Sequence, residues 1–214
     1  MLPDRRSLAA LLLVCGLLLC RGASAQRVQV EVLVFAYANP DAAAAMVDAD
    51  ADPVPQGMLL GSGGELYSAL PDSSKRLLGA QAALARHART RALAHMAWVE
   101  ELGSARAVRI RGSQRLSISD PARGLMQAEV EALEGDLTLG GARGTALTLD
   151  LVLREALSDR AGRSAGLRRY RLQSSRVIAF GETHYFDHPA FGAIVRIDPI
   201  DSAQSTTPAP GAAP

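Results

Sequence analysis

The chain has two cysteines, Cys15 and Cys20, and both fall before Ala25. Past that point there is no disulfide, no thiol nucleophile and no Cys-ligated zinc or cluster. Lysine is almost as scarce. Lys75 stands alone and every other basic side chain is arginine. With so much alanine, this reads as GC-rich coding bias rather than a set of anion clamps. Aromatics make up 4% of the chain and Trp98 is the only tryptophan. The formal net charge is only +1, which excludes a protein built to coat nucleic acid. After the N-terminal segment no apolar run approaches the ~20 residues of a spanning helix.

That segment, MLPDRRSLAALLLVCGLLLCRGASAQ, has the parts of an export signal. Arg5 and Arg6 form a basic start, Ser7 to Leu19 an apolar stretch, and Ala23-Ser24-Ala25 a small-residue cleavage site. Residues 1–25 are therefore expected to be removed before Gln26. Leu19 before Cys20 is too large for a lipobox, and Arg5-Arg6 lacks the rest of a twin-arginine signature. Cleavage removes Arg5, Arg6 and Arg21 against Asp4 and leaves a charge of about −1. The remaining ~190 residues suffice for one domain with its own core. The expected place is the periplasm, with no transmembrane anchor after cleavage.

Alternation marks the strands. In RVQVEVLVF, Arg27 to Phe35, valines take one side, with Gln29, Glu31 and Leu33 on the other. RALAHMAWV, Arg91 to Val99, sets Leu93, His95, Ala97 and Val99 against Ala94, Met96 and Trp98, and Trp98 is expected to anchor the core. Further strands are expected over 106–118 (with a break at Gly112-Ser113), 129–139, 145–153, 168–180 and 192–197. One helix is expected over Ser73 to His87, capped by Ser73 or Ser74. Residues 156–167 read as a loose Arg/Gly/Ser connector and 201–214 as a disordered tail. Residues 26–200 are thus predicted to form one α+β domain, an antiparallel sheet of about seven strands with one main helix on a face.

Most local motifs carry no chemistry. Asp48, Asp50 and Asp52 are followed by Pro53 and by no closing Glu, so no EF-hand is present. Gly140 to Gly144 reads as a hairpin turn, since no Gly-Lys-Ser/Thr accompanies it. The exception is ETHYFDHPAFG, Glu182 to Gly192, which holds two of the four histidines and three aromatics. As a strand it puts Glu182, His184 and Phe186 on one face and Thr183 and Tyr185 on the other. Asp187, Pro189 and Gly192 fit a hairpin turn. A metal reading would use Glu182, His184, Asp187 and His188, but zincin spacing is absent. A His–Asp catalytic reading lacks a nucleophile.

HYFDHPAFGAIVRIDP resembles the C-terminal signature of the CsiV family, periplasmic peptidoglycan-binding proteins of Gram-negative bacteria. Glu31 to Phe35 (EVLVF), the His95, Ala97, Trp98 strand and Gly135 to Leu139 (GDLTL) extend the resemblance over nearly the whole mature chain. The chain departs from the family at RVIAFGET, Arg176 to Thr183, which is less basic, and at TALTL, Thr145 to Leu149. The resemblance implies a non-catalytic protein without cofactor or metal. It implies binding to peptidoglycan and support of cell-wall synthesis and cell shape, through the lipoprotein activator of a class A penicillin-binding protein. The candidate binding residues are His184, Tyr185, Phe186, Asp187 and His188, with Arg168, Arg169 and Arg171 for stem-peptide carboxylates. Two other readings stand beside it: an envelope protein–protein interaction module without direct glycan contact, and a metal-dependent wall hydrolase.

Overall fold

The structure, a computed structural model, describes residues 26–45, 54–61, 64–120, 125–140, 145–158 and 164–200. The export segment, the Asp48–Asp52 run, the turn at 141–144 and the tail at 201–214 lie outside the described residues. The chain is α+β, with ten strands and one α-helix among the described residues. In order these are β1 (Arg27–Tyr37), α1 (Leu78–Arg86), β2 (Thr90–Glu101), β3 (Ala107–Arg111), β4 (Arg115–Asp120), β5 (Leu125–Glu131), β6 (Leu133–Gly140), β7 (Ala146–Ser158), β8 (Ser164–Val177), β9 (Thr183–His188) and β10 (Phe191–Pro199). They form a first sheet β2-β1-β10-β9, a second sheet β3-β6-β7-β8 and a two-stranded β4-β5 ribbon.

Ten strands replace the expected seven for local reasons. The pattern over 106–118 breaks at Gly112, where a Cβ would meet the Leu93 carbonyl oxygen at 3.2 Å. The pattern over 129–139 breaks at Ala132, whose amide bonds to Gln114 instead. Thr183–His188 forms a strand of its own. The expected loose connector at 156–167 is largely strand, because β7 and β8 pair continuously from Ala146↔Val177 to Leu157↔Gly166.

The two sheets share one core. Val28, Val30, Val32 and Val34 of β1, with Trp98, Phe186, Val195 and Ile197, face Val108, Ile110, Leu137, Leu149, Leu151 and Tyr170 of the second sheet. Trp98 has no exposed surface, so it is a core anchor and not a sugar platform. Burial of such side chains supplies the main drive to fold the described residues, which include no cysteine.

The other face of the first sheet is covered too. Glu31 is 1% exposed and accepts the Arg76 and Leu77 amides at 2.7 and 2.9 Å. Its Oε1 also lies 2.7 Å from His95 Nε2, while His95 Nδ1 bonds to Gln81 of α1. The helix therefore starts later than expected, and Glu31 caps it from β1. Ser73 and Ser74 lie in a preceding 3-10 turn.

One side of the sandwich is stitched shut. Met58 donates to Ala107 and accepts from Arg109 along β3, while Tyr67 and Leu70 donate to Val99 and Ala97 along β2. Asp136 holds this segment through the Gln56 and Gly57 amides. Gly135 lets β7 close in, since a Cβ there would lie 2.1 Å from the Asp150 carbonyl oxygen. The opposite side carries β8 and β9, the margins of their sheets.

Candidate functional site

Thr183–His188 forms an antiparallel hairpin with β10, and Phe191 pairs with His188. The turn itself is therefore Pro189-Ala190. Asp187 and Gly192 pair with each other in the flanking strands, rather than forming the turn as the sequence pattern implied. The His188 Nδ1 accepts the Ala190 amide at 3.1 Å, and the Ala190 carbonyl accepts the Tyr37 amide at 3.0 Å. The imidazole thus closes the turn, and the turn fixes the end of β1. Burial holds the His188 pKa below its usual value, which keeps Nδ1 free to accept.

Strand alternation divides the motif. His184, Phe186 and His188 point inward, with Tyr185 and Asp187 on the outer face. Phe186 has no exposed surface, and the Arg176 guanidinium lies 4.2 Å above its ring. His184 Nε2 lies 3.0 Å from the Ala179 carbonyl oxygen, tying β9 to the segment that leads into it. All three side chains brace the hairpin from its inner face. The four groups of the metal reading do not converge, because Asp187 faces away from both histidines. Among the described residues no three of His, Cys, Asp or Glu gather as a metal site.

The outer face carries the site, and it includes two residues that the motif alone does not contain. The Tyr185 ring is stacked on Phe35 at 6.2 Å with 14° between planes. Tyr37 meets Phe35 edge-on at 5.6 Å. The Tyr37 and Tyr185 hydroxyls lie 2.6 Å apart, and Oδ1 of Asp187 lies 2.8 and 2.9 Å from them, so the three oxygens share the two phenol protons. Burial, and then the hydrogen bonds to Tyr37 and Asp187, raise the Tyr185 pKa. The phenol stays neutral and donating. Tyr185 is 45% exposed, so one ring face rests on Phe35 and the other is open. The arrangement is a fixed aromatic plate with a polar edge. It suits stacking on a sugar face and hydrogen bonding to its hydroxyls. The period-2 pattern of β1 already places Tyr37 on the same face as Phe35, a signal that the clustered motif overshadowed.

The structure does not bring the arginines to this plate. Arg169 and Arg171 lie on the outer face of the second sheet, on the opposite side of the sandwich. Arg171 makes two bonds to Asp150, at 2.7 and 2.6 Å. Arg168 shares the inward face of β8 with Tyr170, as their register shows. Tyr170 meets His188 at 6.0 Å between ring centroids, which is where the β8 and β9 margins touch.

A family model described as "Peptidoglycan-binding protein, CsiV" matches residues 7–200. No curated protein matches the chain. A solved structure of Aeromonas hydrophila ExeD is similar at 12% identity with a TM-score of 0.37. The match covers 95% of this chain, which spans only 54% of that one. Likeness at that level carries no argument.

Proposed function

The chain belongs to the CsiV family of peptidoglycan-binding proteins, and from that membership we propose that it is an exported, periplasmic, non-catalytic protein that binds the cell wall directly through the Tyr37–Tyr185–Asp187 plate. The observation that carries this reading is the open face of Tyr185, held by Phe35 beneath it and by two hydrogen bonds at its rim. Ordering an aromatic before binding lowers the entropy cost of capturing a sugar. The family resemblance extends the reading to a role in cell-wall synthesis and shape, by helping a lipoprotein activator switch on a class A penicillin-binding protein.

The test is sedimentation of mature Gln26–Pro214 with purified sacculi at low and moderate salt, beside Tyr185→Ala and Tyr37→Phe. The native chain is expected in the pellet at both salts, with Tyr185→Ala largely in the supernatant. Tyr185 is an outward-facing side chain, so the variant should keep its circular dichroism spectrum. Pelleting of a folded Tyr185→Ala at native levels would overturn the plate. Failure of the native chain to pellet at all would overturn direct wall binding and leave the interaction-module reading.

A further inference from the structure

A second feature lies at the far margin of the first sheet. Between the β2 edge and the β3–β4 bend is an open cleft of about 600 Å3, lined among others by Gln81, Met96, Arg111 and Arg115. A smaller lobe of about 180 Å3 continues it past Lys75 and Arg109. The two share His95, Met96 and Arg111, so they form one groove. The groove gathers four cationic side chains against Glu131 in a chain that is close to neutral overall.

Three of those cations are already engaged. Lys75 bonds to Asp72 and to the His95 carbonyl. Arg109 reaches the Pro55 carbonyl. Arg115 sits 3.3 Å from Glu131 and 3.6 Å from Glu129. Arg111 differs: it is exposed, and among the described residues it has no hydrogen-bond or ion-pair partner. Its strand partner Glu134 is taken by Arg154 at 3.0 Å. An unmatched guanidinium in a concave, cation-rich groove is a receptor for a carboxylate, which its planar fork can bind through two parallel hydrogen bonds.

Position narrows the ligand. Asp187 of the aromatic plate and Ala92 of the cleft share one register row, through Gly192 and Phe35. Three strand spacings separate them, about 14 Å. We propose that this cleft binds the carboxylates of a peptidoglycan stem peptide, with Arg111 as the anion anchor and Gln81 beside it. The identity of the peptide rests on the wall-binding reading above, in which the plate takes the glycan.

The test is titration of the mature chain with a free stem tetrapeptide, and with the same peptide amidated at its carboxyl groups. Arg111→Ala and Gln81→Ala are measured beside the native chain. Arg111 is exposed, so its loss should leave folding intact. The native chain is expected to bind the acidic peptide, more weakly at higher salt, and to bind the amidated form at least tenfold less. Arg111→Ala is expected to lose about tenfold or more in affinity for the acidic form, the scale of one charge-assisted hydrogen bond. Equal affinity of native chain and Arg111→Ala, equal affinity for both peptides, or no binding of either would overturn the cleft assignment. Pelleting with sacculi reads the wall-binding reading separately. Native pelleting with no Arg111 effect on peptide sinks the cleft alone. Arg111-dependent peptide binding without pelleting sinks the wall reading alone.

Discussion

Glu100 gives the most quantitative check on the fold. It lies on the core face of β2, one residue before the strand ends, and has no exposed surface. Its Oε2 accepts the Trp98 indole N–H at 2.7 Å. Its Oε1 has no hydrogen-bond partner among the described residues. Burial pushes the carboxyl up from 4.5 to about 7. In the unfolded chain the group titrates near 4.5, so between those values the native state holds a proton that the unfolded state has lost. The contribution to stability is full below 4.5 and is lost as pH rises through about 7. At about 1.4 kcal/mol per pH unit, the loss over the whole range totals about 3.5 kcal/mol. Urea denaturation of native chain and Glu100→Gln at pH 5, 6, 7 and 8 measures it. Gln keeps an acceptor for Trp98 and cannot ionise. His188 works in the opposite direction: burial lowers its pKa from 6.5, which costs stability in acid. It is present in both proteins and cancels in their difference. The stability of Glu100→Gln relative to native is expected to improve by about 2.5 kcal/mol from pH 5 to pH 8, since part of the loss falls below pH 5. A difference that stays flat across that range would refute a carboxyl held protonated in the core.

Two other substitutions probe the supports of the site. Gly192→Ala puts a Cβ 2.8 Å from the Phe35 ring and 3.1 Å from the Phe186 carbonyl oxygen. It should cost about 1–3 kcal/mol in urea denaturation, and an unchanged midpoint would mean that the ring yields freely. Glu31→Ala strips the acceptor from the Arg76 and Leu77 amides and from His95. It should cost about 3–5 kcal/mol and speed amide exchange across 76–86, whereas protection equal to native would show that the helix start does not need this cap.

The sequence showed the strands where apolar residues recur at every second position, as in β1 and β2. It was silent where a distant partner decides. Arg, Gly and Ser at 156–167 look loose by composition, yet pairing with the neighbouring strand overrides that local preference. Ser73 and Ser74 are good caps by type, but the Glu31 carboxylate from another strand reaches the helix start first. The core-facing Glu100 follows Trp98 on the same face, and no periodicity distinguishes it from a solvated strand end. The clustered motif was legible as a hairpin with two faces. The faces themselves had to be assigned by register, which puts His184, Phe186 and His188 on the inner face, where they brace the hairpin. Tyr37 completes the site from 150 positions away, a distance no local pattern spans.

These supports make the signature one device. Gly192 leaves room for the Phe35 ring to cross β10. Phe35 then carries the Tyr185 ring on its face. His188 closes the turn whose Ala190 carbonyl takes the Tyr37 amide. Tyr37 and Asp187 in turn hold the Tyr185 hydroxyl. Phe186, on the reverse side, fixes the same strand into the core under Arg176. A hairpin needed only to connect two strands would require none of the two tyrosines, the aspartate or the histidine lone pair. Each of them instead constrains the position of one half-exposed aromatic ring. A ring held from below, from its rim and through its own backbone loses little freedom when a ligand stacks on it, and that economy of entropy is the physical case for reading the hairpin as a binding surface.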